Sequence, residues 1–424
     1  MNFNREIFKS SLFKVTSLNS VSVVLKIITG LISSKIIAVF LGAPGMALVG
    51  NMRNFFTSME TISTLGFQNG IVKYSAENQE NESELKKVIS TIFFSLIGAS
   101  IIFGLILFLF ATNWNDEVFG SDFSYGFVFK ILALTLPFYV INLFLISVIN
   151  GFGKFKAVIF INIFGNLIGL LVSIFLIYRY NVAGALISIA ITPALLFFLS
   201  LFYSSKEFSL TKNISLSSFN FSIIKNLSSY SIMALVYGFI GPLVYLAIRN
   251  YIIENLGIDQ AGYWSAMERI SSNYLLFIST LLSVYFLPKL VLAQNNLETK
   301  KVFWSYYKTI LPVFILCLSF VYIFRNIIVK ILFTEDMLPV SNLFFWQLVG
   351  DVFKASSIIL GYQFFAKKMT KAFVITEIFS LTTLYFSSIY FVNIFQIEGI
   401  VIAHAFTYGI YLLVLSIYFR RSLF

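Results

Sequence analysis

Long apolar segments recur along this chain and are separated by short polar turns. Twelve of them approach the roughly 20 residues that an α-helix needs to cross a hydrocarbon core about 30 Å thick. They cover approximately residues 17–42, 47–75, 88–112, 125–150, 157–178, 181–204, 228–251, 260–288, 303–324, 338–364, 370–393 and 397–419. The pattern predicts an all-α polytopic membrane protein with about twelve transmembrane helices.

Four of the predicted spans carry polar residues at intervals of three and four, so that each has a polar stripe on one face. The stripes are Asn19, Ser22, Lys26, Thr29 and Ser33 in the first span, Arg53, Thr57, Glu60, Thr64 and Gln68 in the second, Ser265, Arg269, Ser272, Ser279 and Ser283 in the eighth, and Gln347, Asp351 and Lys354 in the tenth. Polar stripes turn away from the acyl chains of lipid. We therefore expect these spans, with the seventh, to line an internal cavity.

The two halves of the chain resemble each other. Residues 41–53 open the second span much as residues 256–269 open the eighth, and this places Arg53 and Arg269 in matching positions. Six spans in each half, both starting on the same side, indicate a parallel repeat. We expect two six-helix bundles around a central cavity. The expected lobes are residues 1–215 and 216–424.

Composition places the whole chain in the membrane. Hydrophobic residues make up 58% of it and charged residues only 12%, whereas about a quarter of the residues of soluble domains are charged. The mean hydropathy is +0.87. A water-soluble globular protein is excluded.

The distribution of basic residues predicts the orientation of the spans. One set of alternate loops and end segments holds eighteen Lys and Arg, and the opposite set holds only Arg179, Arg325 and Lys330. Loops rich in these residues normally stay in the cytoplasm, so we expect both termini there. The formal net charge of +11 then reflects topology and needs no nucleic acid as a partner.

Basic residues inside the predicted spans are candidates for binding an anionic substrate. A charged side chain at the membrane centre costs roughly 2.5–3.5 kcal/mol on insertion scales, and Arg suits bidentate contact with phosphate. For Arg249, as for Lys35, the alternative is that the side chain extends to the outer membrane surface. The candidates are Lys26, Arg53, Arg249 and Arg269.

A second group of charged residues suits a coupling-ion or gating role. Asp351 and Lys354 are three residues apart and could equally neutralise each other as a structural pair. His404, the one histidine, is expected to be packed or interfacial and not a proton relay. The candidates are Glu60, Asp351, Lys354 and Glu377.

Gly241 and Pro242 interrupt the seventh predicted span. Proline removes a backbone hydrogen bond and bends a helix. The pair is a candidate hinge, and a static kink is the open alternative.

Motifs for catalysis and metal binding are not found in the sequence. It has no nucleotide-binding loop, and one histidine with one cysteine, Cys317, excludes a multi-His or multi-Cys site. We expect a transporter that is not an enzyme and uses no cofactor. A polytopic polysaccharide polymerase or glycosyltransferase is the alternative from another class, although the external turns are short for such chemistry.

Three segments resemble the Wzx-type flippases of O-antigen and lipid III intermediates, in the multidrug/oligosaccharidyl-lipid/polysaccharide (MOP) exporter superfamily. They are residues 231–252 (SIMALVYGFIGPLVYLAIRNYI), 271–288 (SSNYLLFISTLLSVYFLP) and 347–362 (QLVGDVFKASSIILGY). The resemblance implies a MATE-like fold in the bacterial inner membrane. It also implies alternating-access transfer of an undecaprenyl-diphosphate-linked oligosaccharide from the cytoplasmic to the periplasmic leaflet.

With this resemblance, we assign Lys26, Arg53, Arg249 and Arg269 to the diphosphate and glycan. Asp351 and Glu377 are the candidate sites for a coupling proton or sodium ion. A polysaccharide polymerase and a chain-length regulator are possible partners. The alternative within the superfamily is an ion-coupled multidrug exporter, whose cavity we would expect to be acidic and not basic.

Overall fold

The computed structural model describes residues 11–207 and 214–423, with the side chains of residues 11–20, 206–207, 226 and 228–230 left aside. Asn19 of the first polar stripe therefore lies outside the described side chains. Within the described residues, helices alone form the regular secondary structure. The predicted all-α class is confirmed.

The helices up to the middle of the chain are α1 (Ser11–Ser63), α2 (Gln68–Glu77), α3 (Glu82–Leu109), α4 (Ala111–Phe119), α5 (Gly126–Gly151), α6 (Phe155–Glu207) and α7 (Phe221–Leu235). Those that follow are α8 (Gly241–Leu256), α9 (Ile258–Leu281), α10 (Leu287–Leu292), α11 (Asn296–Ile323), α12 (Arg325–Leu332), α13 (Phe344–Ala366), α14 (Thr370–Phe395), α15 (Glu398–Tyr418) and α16 (Arg420–Leu423). Short 3₁₀ turns lie at Leu216–Ser218 and Glu335–Leu343, and π-helical turns at Val236–Ile240 and Leu282–Phe286.

Ten helical stretches of the described residues are long and apolar enough to cross a membrane, and two of them, 57 and 51 residues long, each contain two of the twelve predicted segments. In each of the two long stretches, one residue with non-helical φ and ψ lies between the two predicted segments. Gly42 has φ 63° and ψ −162°, and Asn181 has φ 48° and ψ −128°. Positive φ suits Gly, and Asn tolerates it better than most residues. The prediction of about twelve spans is confirmed.

Contacts on either side of Asn181 show that α6 folds back on itself. The Ser173 hydroxyl donates to Ser188 at 3.1 Å. Gly169 lies against Thr192, and Gly165 lies against Leu196. Residue numbers fall along the first half of α6 as the numbers of their partners rise along the second half. The two halves are therefore antiparallel.

Large apolar side chains lie on the surface of many helices. Leu171, Phe175 and Leu316 are each more than half exposed, and Leu134 and Phe386 are exposed to a similar degree. Soluble proteins rarely expose apolar surface on this scale. The chain is a multi-pass membrane protein whose outward-facing apolar side chains meet lipid.

The internal contacts of the chain define two compact units. The first contains residues up to Ser33 and Phe55–Phe239, and the second contains Ser34–Asn54 and the chain from Ile240 onward. The lobe boundary proposed from the sequence at 215/216 did not anticipate that residues 34–54 associate with the second half of the chain.

Helix α5 is the central element of the first unit. Its Phe129 packs edge-to-face on Phe55 of α1, with ring centroids 5.1 Å apart. The Thr135 hydroxyl donates to the Ala190 carbonyl of α6 at 3.1 Å. Helix α3 approaches closely through Gly104, where a Cβ would lie 3.1 Å from the Ala133 carbonyl oxygen.

The candidate hinge follows the π-helical turn Val236–Ile240. Because Pro242 has no N–H, it cannot donate to the carbonyl four residues earlier, that of Gly238. The Thr61 hydroxyl of α1 donates to this carbonyl at 2.9 Å, and the Ser58 hydroxyl donates to the Phe239 carbonyl at 2.9 Å. The interruption is therefore hydrogen-bonded by side chains of a neighbouring helix, as π-helical turns and proline kinks require in lipid.

Helix α13 is the central element of the second unit. The Tyr306 and Tyr307 hydroxyls of α11 donate to the carbonyls of Ala355 and Ser356, at 3.0 Å and 2.8 Å. On another side, Gly350 lies directly against α15, because a Cβ there would be 3.0 Å from the Ala405 Cα. This packing holds Asp351 and Lys354 inside the unit.

We expect Gly399→Ala to destabilise the α14–α15 hairpin, because the new Cβ would lie 2.1 Å from the backbone oxygen of Phe391. Overpacking of this kind costs about 1–3 kcal/mol. The measurement is the thermal unfolding midpoint of the detergent-purified protein. Gly361→Ala is the matched control, because nothing lies within 4 Å of its added Cβ. Equal midpoints for the two variants would contradict the tight turn.

Candidate functional site

Arg53 and Arg269 both belong to the second unit. Arg53 comes from the part of α1 that belongs to this unit, and Arg269 comes from α9. The Arg53 guanidinium interacts electrostatically with that of Arg269, and Arg269 Nε donates to the Ser34 hydroxyl at 3.4 Å. Both side chains are half-buried. Like charges held away from bulk water repel each other, and an anion bound near both would relieve that repulsion.

Arg249 occupies a different environment. It is 2% exposed and forms an ion pair with Glu268 of α9. Its second terminal nitrogen donates to Asn51 Oδ1 at 3.1 Å, and its guanidinium carbon lies 5.0 Å from the Trp264 ring centroid. Asn51 in turn donates to Asn250 Oδ1 at 2.8 Å. The Arg249 charge is therefore balanced by Glu268, and these contacts join α8, α9 and residues 34–54.

A glycine permits this close approach. A Cβ on Gly50 would lie 2.9 Å from the Ser265 Oγ and 3.1 Å from the Arg249 Cζ. Glu268 was not among the residues singled out from the sequence. The available signal was an acidic residue next to Arg269, one turn after Trp264.

The Lys35 side chain forms hydrogen bonds with backbone carbonyls. Its ammonium donates to the Lys330 carbonyl at 3.1 Å and also to the Phe333 carbonyl. These carbonyls lie at the C-terminal end of α12, where a cation is favourable. The structure thus shows Lys35 capping a helix.

Asp351 is fully buried among hydrogen-bond donors. Its Oδ2 accepts from the Ser271 hydroxyl at 2.7 Å and from the Tyr274 hydroxyl. Gln347 Nε2 lies 3.3 Å from both carboxylate oxygens, and His404 Nε2 lies 2.9 Å from Oδ1. Sequence spacing favoured Lys354 as the partner of Asp351, but His404 makes the direct contact. His404 is packed, as expected, and is also hydrogen-bonded.

Lys354 lies among several acidic residues of the second unit. Its ammonium is 4.8 Å from the centroid of the Tyr408 ring. Glu377 accepts a hydrogen bond from the Tyr411 hydroxyl at 3.3 Å. Lys354 thus interacts electrostatically with acidic residues on three different helices. The carboxylates with which it interacts electrostatically are Glu268, Asp351 and Glu377.

The first unit contains the other two candidates, Lys26 and Glu60. The half-buried Glu60 carboxylate accepts from Gln68 Nε2 at 3.4 Å and from the Tyr139 hydroxyl, and it interacts electrostatically with Lys26. The structure therefore brings Lys26 and Glu60 together within α1. Among the described residues, no group of three or more His, Cys, Asp and Glu is arranged to hold a metal ion.

We expect Glu268→Gln to be strongly destabilising, because it leaves the Arg249 charge buried without a counter-charge. Removing one member of a buried ion pair costs about 3–5 kcal/mol. The measurement is the fraction of protein that stays folded in detergent as temperature rises. Glu335→Gln is the control, because the Lys330–Glu335 pair, with an N–O distance of 3.0 Å, is exposed and exposed pairs contribute little. A similar loss in both variants would contradict the role of Glu268.

Comparison with known proteins gives one matching family and a full-length relative. The family described as "Polysaccharide biosynthesis protein" matches residues 36–342. The lipid III flippase of Escherichia coli (strain K12) is 28% identical over 403 residues, which cover 95% of this chain and 96% of that protein. The similarity extends over both units.

Solved structures with the same fold are also known. An inward-facing multidrug resistance MATE family transporter of the MOP superfamily has a TM-score of 0.78 at 13% identity, covering 94% of each chain. The lipid II flippase MurJ, in an inward closed conformation, has a TM-score of 0.72 at 18% identity, covering 96% of this chain and 87% of that one. At these identities the likeness concerns the fold, and the expected MOP fold is confirmed.

Proposed function

This chain belongs to the polysaccharide biosynthesis protein family, and from that premise we propose that it is a flippase for a lipid-linked oligosaccharide. The substrate would be an undecaprenyl-diphosphate-linked repeat unit of O-antigen or common-antigen type. It would pass by alternating access from the cytoplasmic to the periplasmic leaflet of the bacterial inner membrane. Both termini would lie in the cytoplasm, as the loop charges indicate.

The observation that carries the proposal is the interaction between the charges of Arg53 and Arg269, both half-buried in the second unit. A diphosphate bears negative charge at the point where sugar and lipid join, and two guanidinium groups suit its oxygens. The relative named a lipid III flippase, which is similar over nearly the whole chain, supports a substrate of this class.

The candidate residues lie in different environments, and we assign their roles accordingly. We assign Arg53 and Arg269 to the diphosphate and Lys26 to the glycan. Arg249 is already neutralised by Glu268, so we assign it to holding helices together and not to the substrate. This departs from the assignment made from the sequence, because the identity of its partner depends on the fold.

The sequence has no nucleotide-binding loop, so we propose that an ion gradient drives transport. Glu60, Asp351 and Glu377 are carboxylates inside spans, with Lys354 near two of them. Ionisable groups at such depth are typical of ion pathways. A polymerase and a chain-length regulator would use the translocated product.

The MATE-like fold is also found in multidrug transporters, but fold alone does not determine the passenger. An arginine pair disfavours the cationic compounds that we would expect an exporter with an acidic cavity to carry. If cells that make this protein were less susceptible to a panel of drugs than cells without it, the multidrug exporter would be favoured.

We expect Arg53→Gln and Arg269→Gln each to lower flippase activity about tenfold or more, because a hydrogen bond to a charged group contributes about 1.5–3 kcal/mol. The measurement is surface glycan restored in a strain that lacks its own flippase for the same glycan, at equal membrane abundance. Arg→Lys at either site should restore only part of the activity, because lysine keeps the charge and loses the bidentate geometry.

The control is Arg325→Gln, because Arg325 lies over the Tyr322 ring at 4.4 Å and donates to the carbonyl of the same residue at 3.0 Å. It should restore glycan as well as the unmodified protein. Unchanged glycan with both Gln variants at Arg53 and Arg269 would remove the diphosphate assignment.

A further inference from the structure

The environment of Asp351 distinguishes between the two kinds of coupling ion. A hard cation such as sodium is bound by several oxygen atoms whose lone pairs point at it. Here an amide N–H of Gln347 and the imidazole nitrogen of His404 point at the carboxylate. Two hydroxyls, from Ser271 and Tyr274, also donate to it. The carboxylate oxygens are therefore occupied by donors and are not open to a metal cation.

We propose that His404 and Asp351 form a buried proton-binding pair, with His404 as the group that gains and loses the proton. Histidine normally changes charge near neutral pH, unlike the other common side chains. The assignment of the pair to transport coupling rests on the proposed flippase function. The proton site itself stands on the contacts of His404 and Asp351.

The His404 imidazole and the Asp351 carboxylate have hydrogen-bond partners both with and without the additional proton. With the Asp351 carboxylate ionised, His404 donates through Nε2–H, and a second proton adds at Nδ1 to give an imidazolium–carboxylate pair. The pair thereby changes from one negative charge to neutral. Gln347 Oε1 has no hydrogen-bond partner among the described residues. Rotation of that amide would let it accept a proton held on Asp351 itself, so a protonated carboxyl is also accommodated.

The surroundings of His404 link the pair to other charges. On α9, Glu268 interacts electrostatically with His404 and is itself 22% exposed. On α13, Lys354 interacts with Asp351, and on α14 Glu377 interacts with Lys354. The titratable groups in direct contact are Tyr274, on the carboxylate, and Tyr408, whose ring centroid is 4.7 Å from that of the imidazole. Adding a proton to His404 weakens the attraction between Asp351 and Lys354, because imidazolium then neutralises the carboxylate.

The single histidine makes a direct measurement possible. Full-length protein with ¹⁵N-labelled histidine, purified through a histidine-free affinity tag, gives imidazole signals from one residue only. We expect these signals to show a protonation change within the pH range over which the protein stays folded. His404→Gln should abolish the signals. Asp351→Asn, which keeps the size of the side chain, should alter this protonation change, because it removes the carboxylate that Nε2 contacts.

Two results would overturn the proton site. One is an imidazole whose protonation state stays constant over this range, or changes identically in Asp351→Asn protein with an unaltered thermal midpoint. The other is a titration curve that moves when potassium salts are replaced by sodium salts, since this would show that sodium competes for the site. An unchanged curve in the two salts supports proton binding.

Surface glycan in the flippase-null strain separates this inference from the proposed function. We expect His404→Gln to restore about tenfold less glycan than the unmodified protein at equal membrane abundance. A titrating His404 in a protein that never restores glycan would overturn the flippase proposal and keep the proton site. Restored glycan with a non-titrating His404 would overturn the proton site alone.

Discussion

The free-energy cost of keeping charge away from water constrains the interior of the second unit. A buried charge without a partner is costly, so each one must be matched by an opposite charge or by several donors. Arg249 meets the requirement through Glu268 and Asn51, and Asp351 meets it through four side chains from three helices. These requirements determine which helices can approach one another. They explain why small residues, Gly50 and Gly350, lie where charged side chains cross between helices.

The same constraint applies to the backbone. At the interruption before Pro242, a carbonyl that loses its helical donor receives one from Thr61, so the chain can leave regular helix without an unsatisfied group. The hydroxyls of Ser58 and Thr61 thus make the break compatible with a membrane. These hydrogen bonds fit a static kink as well as a hinge, so the hinge role of Gly241 and Pro242 stays a prediction.

The features that the sequence predicts well are those that depend on neighbouring residues. The length of each apolar segment reports a span directly, and Gly42 lies where a turn between two spans is needed. Contacts between side chains on different helices depend on residues far apart in the chain, and the sequence predicts such contacts less well. Asp351 has Lys354 three residues away, yet its direct partner is His404, 53 residues further on. Glu268 was overlooked because the residue that pairs with it, Arg249, looked like a substrate ligand. The alignment of Arg53 with Arg269 singled out two residues whose charges interact, and the internal repeat behind it stays a prediction.

Glu268 connects the two sites of the second unit. It neutralises Arg249, which through Asn51 holds the segment that carries Arg53. It also interacts electrostatically with Lys354 and His404. A proton gained by His404 would therefore change the electrostatic environment of Glu268. Glu268 is linked through Arg249 and Asn51 to the helix that carries Arg53. Any coupling between two ligands must appear as a free energy shared by both sites. Here the shared groups are a carboxylate, an arginine and an asparagine: Glu268 pairs directly with Arg249, Arg249 donates directly to Asn51, and the interaction of Glu268 with His404 is electrostatic.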